Sequence, residues 1–135
     1  MVFQILDLNG INVGVVDERG EISAMYKGKV ENDLGIRTDV LNNIKKDYGI
    51  EMLVRSMSPK VIVCDEIGNK RDIYAVNYAL TSGTKGIFTS HGSDFKSLKL
   101  HPFLSIMLKQ NLFEKIIFLS EKNKGTIKEI YSNID

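Results

Sequence analysis

The chain holds 135 residues, with 18 Lys+Arg against 17 Asp+Glu, for a formal charge of +1. That length supports one small domain spanning residues 1–135 that buries roughly two-thirds of its unfolded surface, and 43% hydrophobic with 26% charged residues excludes a disordered chain. The longest apolar runs, Val61–Cys64 and residues 116–119, fall far short of the ~18 residues of a membrane span, and Met1-Val2-Phe3-Gln4 does not open a secretory leader.

No internal repeat, low-complexity tract or Ser/Pro-rich linker divides the chain. In order, Val13-Gly14-Val15-Val16 is a short apolar run entering Asp17-Glu18-Arg19, and it reads as a buried strand. Residues 20–44 are polar and punctuated by Gly20, Gly28 and Gly35, the pattern of a long loop or peripheral hairpin. Asp47 is placed to cap a helix running to Met57, with Ile50, Leu53, Val54 and Met57 on one face and Pro59 as its stop. Val61-Ile62-Val63-Cys64 is a fully apolar strand ending on Asp65-Glu66, and a second helix from Asp72 carries Ile73, Val76 and Leu80 and ends near Gly83.

Gly86-Ile87-Phe88 forms the next strand, running into Thr89-Ser90-His91-Gly92. A helical stretch broken at Pro102 follows, and residues 116–119 and 126–131 close the chain as strands. The tail lysines Lys115, Lys122, Lys124 and Lys128 are spread among acids and apolar positions. A nucleic-acid footprint is denser and more one-sided, so no nucleic-acid partner is expected. Apolar strands alternating with helices give an α/β fold, a mainly parallel sheet with helices on both faces.

Ligands of open parallel sheets bind at the carboxyl ends of the strands. Three strands here end in polar clusters, Asp17-Glu18-Arg19, Asp65-Glu66 and Thr89-Ser90-His91. Four apolar residues followed by Asp-Glu have the form of a Walker B element, whose Asp holds Mg²⁺ and whose Glu orients the water attacking a γ-phosphate. The same pattern also arises where the Asp caps the next helix. His91 beside Gly92 fits a helix-start hydrogen bonder as well as a catalytic group, and Asp17-Glu18-Arg19 fits a surface turn with a local ion pair. Cys64 reads as a small buried hydrophobe; a lone cysteine makes no intrachain disulfide or thiolate zinc cluster, so a reducing cytosol is the expected compartment. Met25, Met52, Met57 and Met107 read as core or groove filling.

The blocks Val13-Gly-Val-Val-Asp-Glu-Arg-Gly-Glu-Ile22, Asn32-Asp-Leu-Gly-Ile-Arg-Thr-Asp-Val-Leu41, Met52-Leu-Val-Arg-Ser-Met-Ser-Pro-Lys-Val-Ile-Val-Cys-Asp-Glu-Ile-Gly68 and Thr89-Ser-His-Gly92 closely resemble, in order and spacing, the stage III sporulation protein AA family. That family is similar in turn to the motor ATPases of type II and type IV secretion. The resemblance implies a RecA-like P-loop NTPase core that binds ATP and Mg²⁺, forms a homo-oligomeric ring, and drives membrane proteins of a sporulation channel from the cytoplasmic side. It makes Asp65 and Glu66 the Walker B pair, with Asp65 on the metal and Glu66 catalytic. Asp17, Glu18 and Arg19 match an acidic box, and His91 a histidine box with catalytic standing, with Thr89 and Ser90 as phosphate-side neighbours. Arg37 and Arg55 match arginines of the family blocks. Arg37 is assigned to phosphate contact, in cis or from a neighbouring subunit. For Arg55 a helix-surface ion pair stands beside that role.

One departure qualifies the resemblance. No Gly-x-x-x-x-Gly-Lys-Ser/Thr occurs in the 135 residues; the nearest string, Thr81-Ser-Gly-Thr-Lys-Gly86, lacks the first glycine and follows a helix. That loop supplies the N–H cradle and the phosphate lysine, so the chain is expected to be the C-terminal part of an ATPase core and inactive alone. By the same resemblance Val2–Leu8 is the end of the P-loop helix, capped at Asn9-Gly10. A missing P-loop strand leaves strand edges unpaired; the last strands, residues 2–8 or a second copy are expected to fill the gap. Two other function classes stay open: a non-catalytic interaction module, and a Mg²⁺-dependent nuclease or phosphatase using Asp17, Asp65 and Glu66.

Overall fold

The structure, a computed structural model, describes residues 2–132. The chain forms two compact units, Met1–Ser90 and His91–Asp135.

The first unit begins with helix α1 (Val2–Leu8), which ends as the chain turns left-handed at Gly10, φ +67°. The N–H of Gly10 donates to the Asp7 carbonyl at 2.9 Å and that of Ile11 to the Leu6 carbonyl at 3.0 Å, a paired closure of the last turn that satisfies carbonyls the helix leaves open. Strand β1 (Val13–Asp17) is buried at all five positions. The polar stretch after it is a loop carrying one isolated bridge, Tyr26 to Lys29, and it delivers strand β2 (Thr38–Asn42). Helix α2 (Lys46–Ser56), strand β3 (Val61–Cys64), helix α3 (Lys70–Thr81) and strand β4 (Lys85–Phe88) follow. All four strands are parallel, in the order β2-β1-β3-β4.

Side chains alternate across the strands, so each face of the sheet has its own cover. Val13, Val15, Val61 and Leu34 form one buried cluster, with Phe3 and Leu6 of α1 and Ile11, Ile22, Val40 and Val63 packed around it. On the opposite face α2 lies so close that a Cβ on Gly14 of β1 would stand 2.9 Å from Leu53 Cδ1, and one on Gly49 of α2 would stand 2.7 Å from Val16 Cγ1. Ile50, Leu53, Ile62, Cys64, Ala75 and Val76 are among the other buried apolar residues. Helices therefore cover both faces, as the apolar strands require.

The second unit holds two short helices, α4 (Phe95–Leu100) and α5 (Leu104–Lys109), and a hairpin of β5 (Lys115–Leu119) and β6 (Ile127–Ser132). The break falls where the sequence puts it, at His101-Pro102. A residue before proline avoids helical geometry, and His101 is extended at φ −67°, ψ 127°. Its ring Nδ1 then accepts the N–H groups of Phe103 and Leu104 at 3.2 and 3.1 Å, starting α5. Tyr131 stacks on Phe95 at 4.7 Å and meets the edge of Phe118 at 5.9 Å. The other hairpin face sets Ile117 opposite Ile130 and Leu119 opposite Ile127, all exposed.

Four expectations need correction. Strand β2 falls inside the stretch read as a loop or peripheral hairpin, because its single Asp39 and short length hide a strand that pairs along only one edge. Asp47 lies in the first turn of α2, not at its cap; Lys45 is the cap residue and makes no side-chain cap bond. Met57 is 48% exposed at the end of α2, whereas Met107 is wholly buried. Neither residues 2–8 nor the last strands add to β4: Val2–Leu8 is helical, and β5 pairs with β6 in a sheet of its own. The short span between β5 and β6 makes that hairpin the pairing with the smallest loop-closure cost.

Candidate functional site

Because the strands are parallel and Val16, Cys64 and Phe88 stand side by side in register, the next residues of β1, β3 and β4 emerge on one edge. These are Asp17, Asp65 and Thr89. The structure thus brings together, as neighbours in space, the three strand ends the sequence marks as polar.

Asp17 is wholly buried, and both of its oxygens are engaged by the loop that follows. Oδ2 accepts the Ser23 N–H at 2.8 Å and the Ser23 hydroxyl at 2.6 Å, and Oδ1 accepts the Ile22 N–H at 3.3 Å. Burial pushes this carboxyl upward, but the bonds from Ser23, Ile22 and Glu21 outweigh it and hold the group below the usual carboxylate value. Asp17 therefore shapes the loop leaving β1. Ser23, which sequence reasoning passed over, is its principal partner; a lone serine in a polar loop gives no signal of burial.

The two residues that follow Asp17 take different partners. Glu18 Oε2 meets Lys46 Nζ at 3.2 Å, at the start of α2. Burial disfavours the Lys46 charge, yet Glu18, joined by the Asp72 charge, more than compensates and raises it above the ordinary lysine value. Arg19 Nη1 instead meets Glu66 Oε2 at 3.0 Å. Lys46 too was not anticipated, since a lysine opening a helix reads as solvated. Glu18 and Lys46 border a depression of about 240 Å³ that is also lined by Lys45, Asp47, Asn69, Arg71 and Asp72.

Beyond β3, Asp65 Oδ1 is buried and has no hydrogen-bond partner, the one such side-chain atom among the described residues. A buried carboxylate oxygen without a partner costs free energy unless something absent from the chain meets it. Asp65 is not the cap of α3. Asn69 takes that position, its side chain accepting from Arg71 and Asp72, while Asp72 accepts back from Gly68 and Asn69. The helix-cap alternative for the Asp-Glu pair is thereby removed. Among the described residues no group of three or more His, Cys, Asp or Glu could hold a metal, so fewer than three such ligands stand together at Asp65. That fits Mg²⁺ held largely by water and phosphate, and it does not fit an all-protein cage.

Glu66 sits in the left-handed region at φ +46°. Its N–H donates to Thr89 Oγ1 at 3.0 Å, and the Ile67 N–H donates to the Thr89 carbonyl at 2.8 Å. Thr89 and Ser90 are exposed past the end of β4. His91 is exposed as well and opens the second unit. Cys64 is a buried hydrophobe, its thiol pushed up to about 12 by burial and then by the Asp65 charge.

The arginines lie elsewhere. Arg37 immediately precedes β2, its carbonyl accepting from Val13 at the start of β1, so it stands at the opposite edge of the sheet from Asp65. Arg55 is in the last turn of α2, which runs back toward that same edge. Neither joins the cluster within one copy of the chain.

Over residues 4–134 the sequence matches the model of the family described as sporulation stage III, protein AA. The chain belongs to that family. The chain is 37% identical over 122 residues to "Stage III sporulation protein AA" of Bacillus subtilis (strain 168), across 90% of its own length and 40% of the relative's. It thus spans about two-fifths of the curated relative it matches. Among solved structures it is similar to the Legionella pneumophila ATPase DotB, with a TM-score of 0.58 at 14% identity, covering 87% of this chain and 35% of that one. The chain accordingly shares the fold of the matched part of DotB, a parallel sheet between helices. The genome packaging NTPase B204 from Sulfolobus turreted icosahedral virus 2, in complex with ATP-gammaS, overlays with a TM-score of 0.43, too low to bear on the fold. No helix among the described residues is long and apolar enough to cross a membrane.

Proposed function

We propose that this chain carries the metal-side half of the nucleotide site of a sporulation-stage motor ATPase, whose intact form binds and hydrolyses ATP as a homo-oligomeric ring. The work of that ring is to drive membrane proteins of a sporulation channel, from a cytoplasmic position peripheral to the membrane. The observation that carries the reading is the buried, unpartnered Asp65 Oδ1 at the end of β3, beside Glu66.

In this reading Asp65 would hold Mg²⁺, which when bound supplies charge neutralisation at the transferring phosphoryl group. Glu66, tethered to Thr89, orients the attacking water and takes up its proton. Thr89 and Ser90 offer hydroxyl and backbone donors to phosphate oxygens at the end of β4, and His91 reports the γ-phosphate. Glu18 keeps its acidic-box role by fixing Lys46 near the strand ends, and Asp17 by fixing the loop that carries Arg19. Arg37, at the far edge, contacts phosphate only from a neighbouring subunit.

A second reading is a non-catalytic interaction module that keeps the fold without the chemistry. It is favoured by the lack of any Gly-x-x-x-x-Gly-Lys-Ser/Thr within these 135 residues. Turnover of Mg-ATP by the intact motor, with Glu66→Gln alongside, separates the two. The motor reading expects hydrolysis that the variant abolishes while it retains bound ATP. Equal behaviour of both proteins favours the module. Metal-dependent cleavage of a generic phosphodiester without ATP would instead favour a carboxylate nuclease.

A further inference from the structure

We propose that Arg19 is the positioning residue for Glu66, holding its carboxylate across the ends of two neighbouring strands; the role rests on the reading of Glu66 given above. Arg19 stands two residues past the end of β1 and Glu66 two residues past the end of β3, and the two strands are paired in the sheet. The guanidinium Nη1 meets Oε2 at 3.0 Å. Within the run Asp17-Glu18-Arg19 the division of labour is sharp: Asp17 bonds its own loop, Glu18 turns to Lys46, and Arg19 alone of the three reaches β3's exit.

Glu66 is held at its main chain from the other side. Its φ of +46° is a conformation that non-glycine residues adopt at a cost, and such a turn persists where surrounding bonds over-determine it. Thr89 provides two of them, through its hydroxyl and its carbonyl. Those bonds fix the backbone and leave the rotatable bonds of the glutamate side chain unspecified. The ion pair with Arg19 supplies an orientation for the carboxylate itself. The turn is thus gripped by β4 through its backbone and by the exit of β1 through its side chain.

The pair is a tether that can open. Arg19 is 58% exposed and Glu66 31%, so solvent screens the attraction and salt weakens it. A planar guanidinium also sets the direction of its partner in a way an ammonium does not. Arg19→Lys therefore keeps the charge and loses part of the aim, while Arg19→Gln loses both.

The test follows the Glu66 backbone and the reaction separately. Hydrogen exchange by NMR on the 135-residue chain is expected to show the Glu66 amide exchanging about threefold faster in Arg19→Gln than in the parent chain, with Arg19→Lys between them and the Val15 amide unchanged in all three. Identical Glu66 exchange in the parent and Arg19→Gln would overturn the proposal. In the turnover assay, Arg19→Gln is expected to lower kcat with KM within about twofold, and Arg19→Lys to recover most of the loss. A raised KM with kcat intact would overturn it too, since Arg19 would then be a direct ligand contact. Absence of turnover in the intact motor counts against the function proposed for Glu66, and the exchange comparison still decides the role of Arg19.

Discussion

The N–H of Glu66 donates to the Thr89 hydroxyl oxygen at 3.0 Å, tying the left-handed turn after β3 to the end of β4. A residue named by sequence for one role, as a phosphate neighbour, thereby has a second, as the anchor of the adjacent glutamate. Thr89→Val removes the acceptor and keeps the shape. It is expected to lower unfolding stability by about 0.5–1.5 kcal/mol, read in urea, and to speed Glu66 amide exchange while β1 amides hold steady. Unchanged stability and exchange would mean the bond carries no weight.

Asp17 makes stability pH-dependent. Its folded value lies below the ordinary 3.8 of an aspartate, so its contribution is complete above that value and is lost as pH falls through the depressed one. Urea midpoints taken from pH 6 down to pH 2 should fall on the acid side in the parent chain and fall less in Asp17→Asn. Ser23→Ala, which deletes the 2.6 Å hydroxyl bond to a buried carboxylate, is expected to cost about 1.5–3 kcal/mol at pH 7. A loss under a few tenths would show that the loop closes without this bond.

How much of this was legible beforehand divides by mechanism. The apolar runs of β1 and β3, the break at Pro102 and the two closing strands were readable because periodicity and proline act locally, whereas the pairing of those two strands with each other was not. The three polar strand ends were readable too, since burial makes a sudden Asp-Glu conspicuous. Strand β2 was not, because Thr38-Asp-Val-Leu-Asn is short and acidic and becomes a strand only by pairing with β1. The partners Ser23 and Lys46 were hidden for a related reason: each is buried by a contact set elsewhere in the chain. The placement of Arg37 at the far edge from Asp65 follows from β2's direction, which only the topology discloses.

Packing at the helix–sheet interface leaves no room at Gly49. An alanine there gains up to about 1 kcal/mol in helix propensity, yet its Cβ meets Val16 Cγ1 at 2.7 Å and Ile44 Cγ2 at 3.1 Å. Gly49→Ala is expected to destabilise the chain by about 1–2 kcal/mol net. Thermal unfolding checks it, and a raised Tm would show that α2 can move off the sheet.

Cys64 should be inert. With its thiol pushed up to about 12 and the side chain 1% exposed, a disulfide reagent at pH 8 is expected to react only on unfolding, and then with one equivalent. Rapid labelling of the folded chain would contradict the packing of β3.

The central claim is that Asp65 marks the metal end of a nucleotide site, and Mn²⁺ used as a paramagnetic probe tests it most directly. With ATP present, broadening is expected to centre on the amides of Asp65, Glu66 and Thr89 and to vanish in Asp65→Asn. Broadening scattered over surface carboxylates, or unchanged in that variant, would contradict the claim.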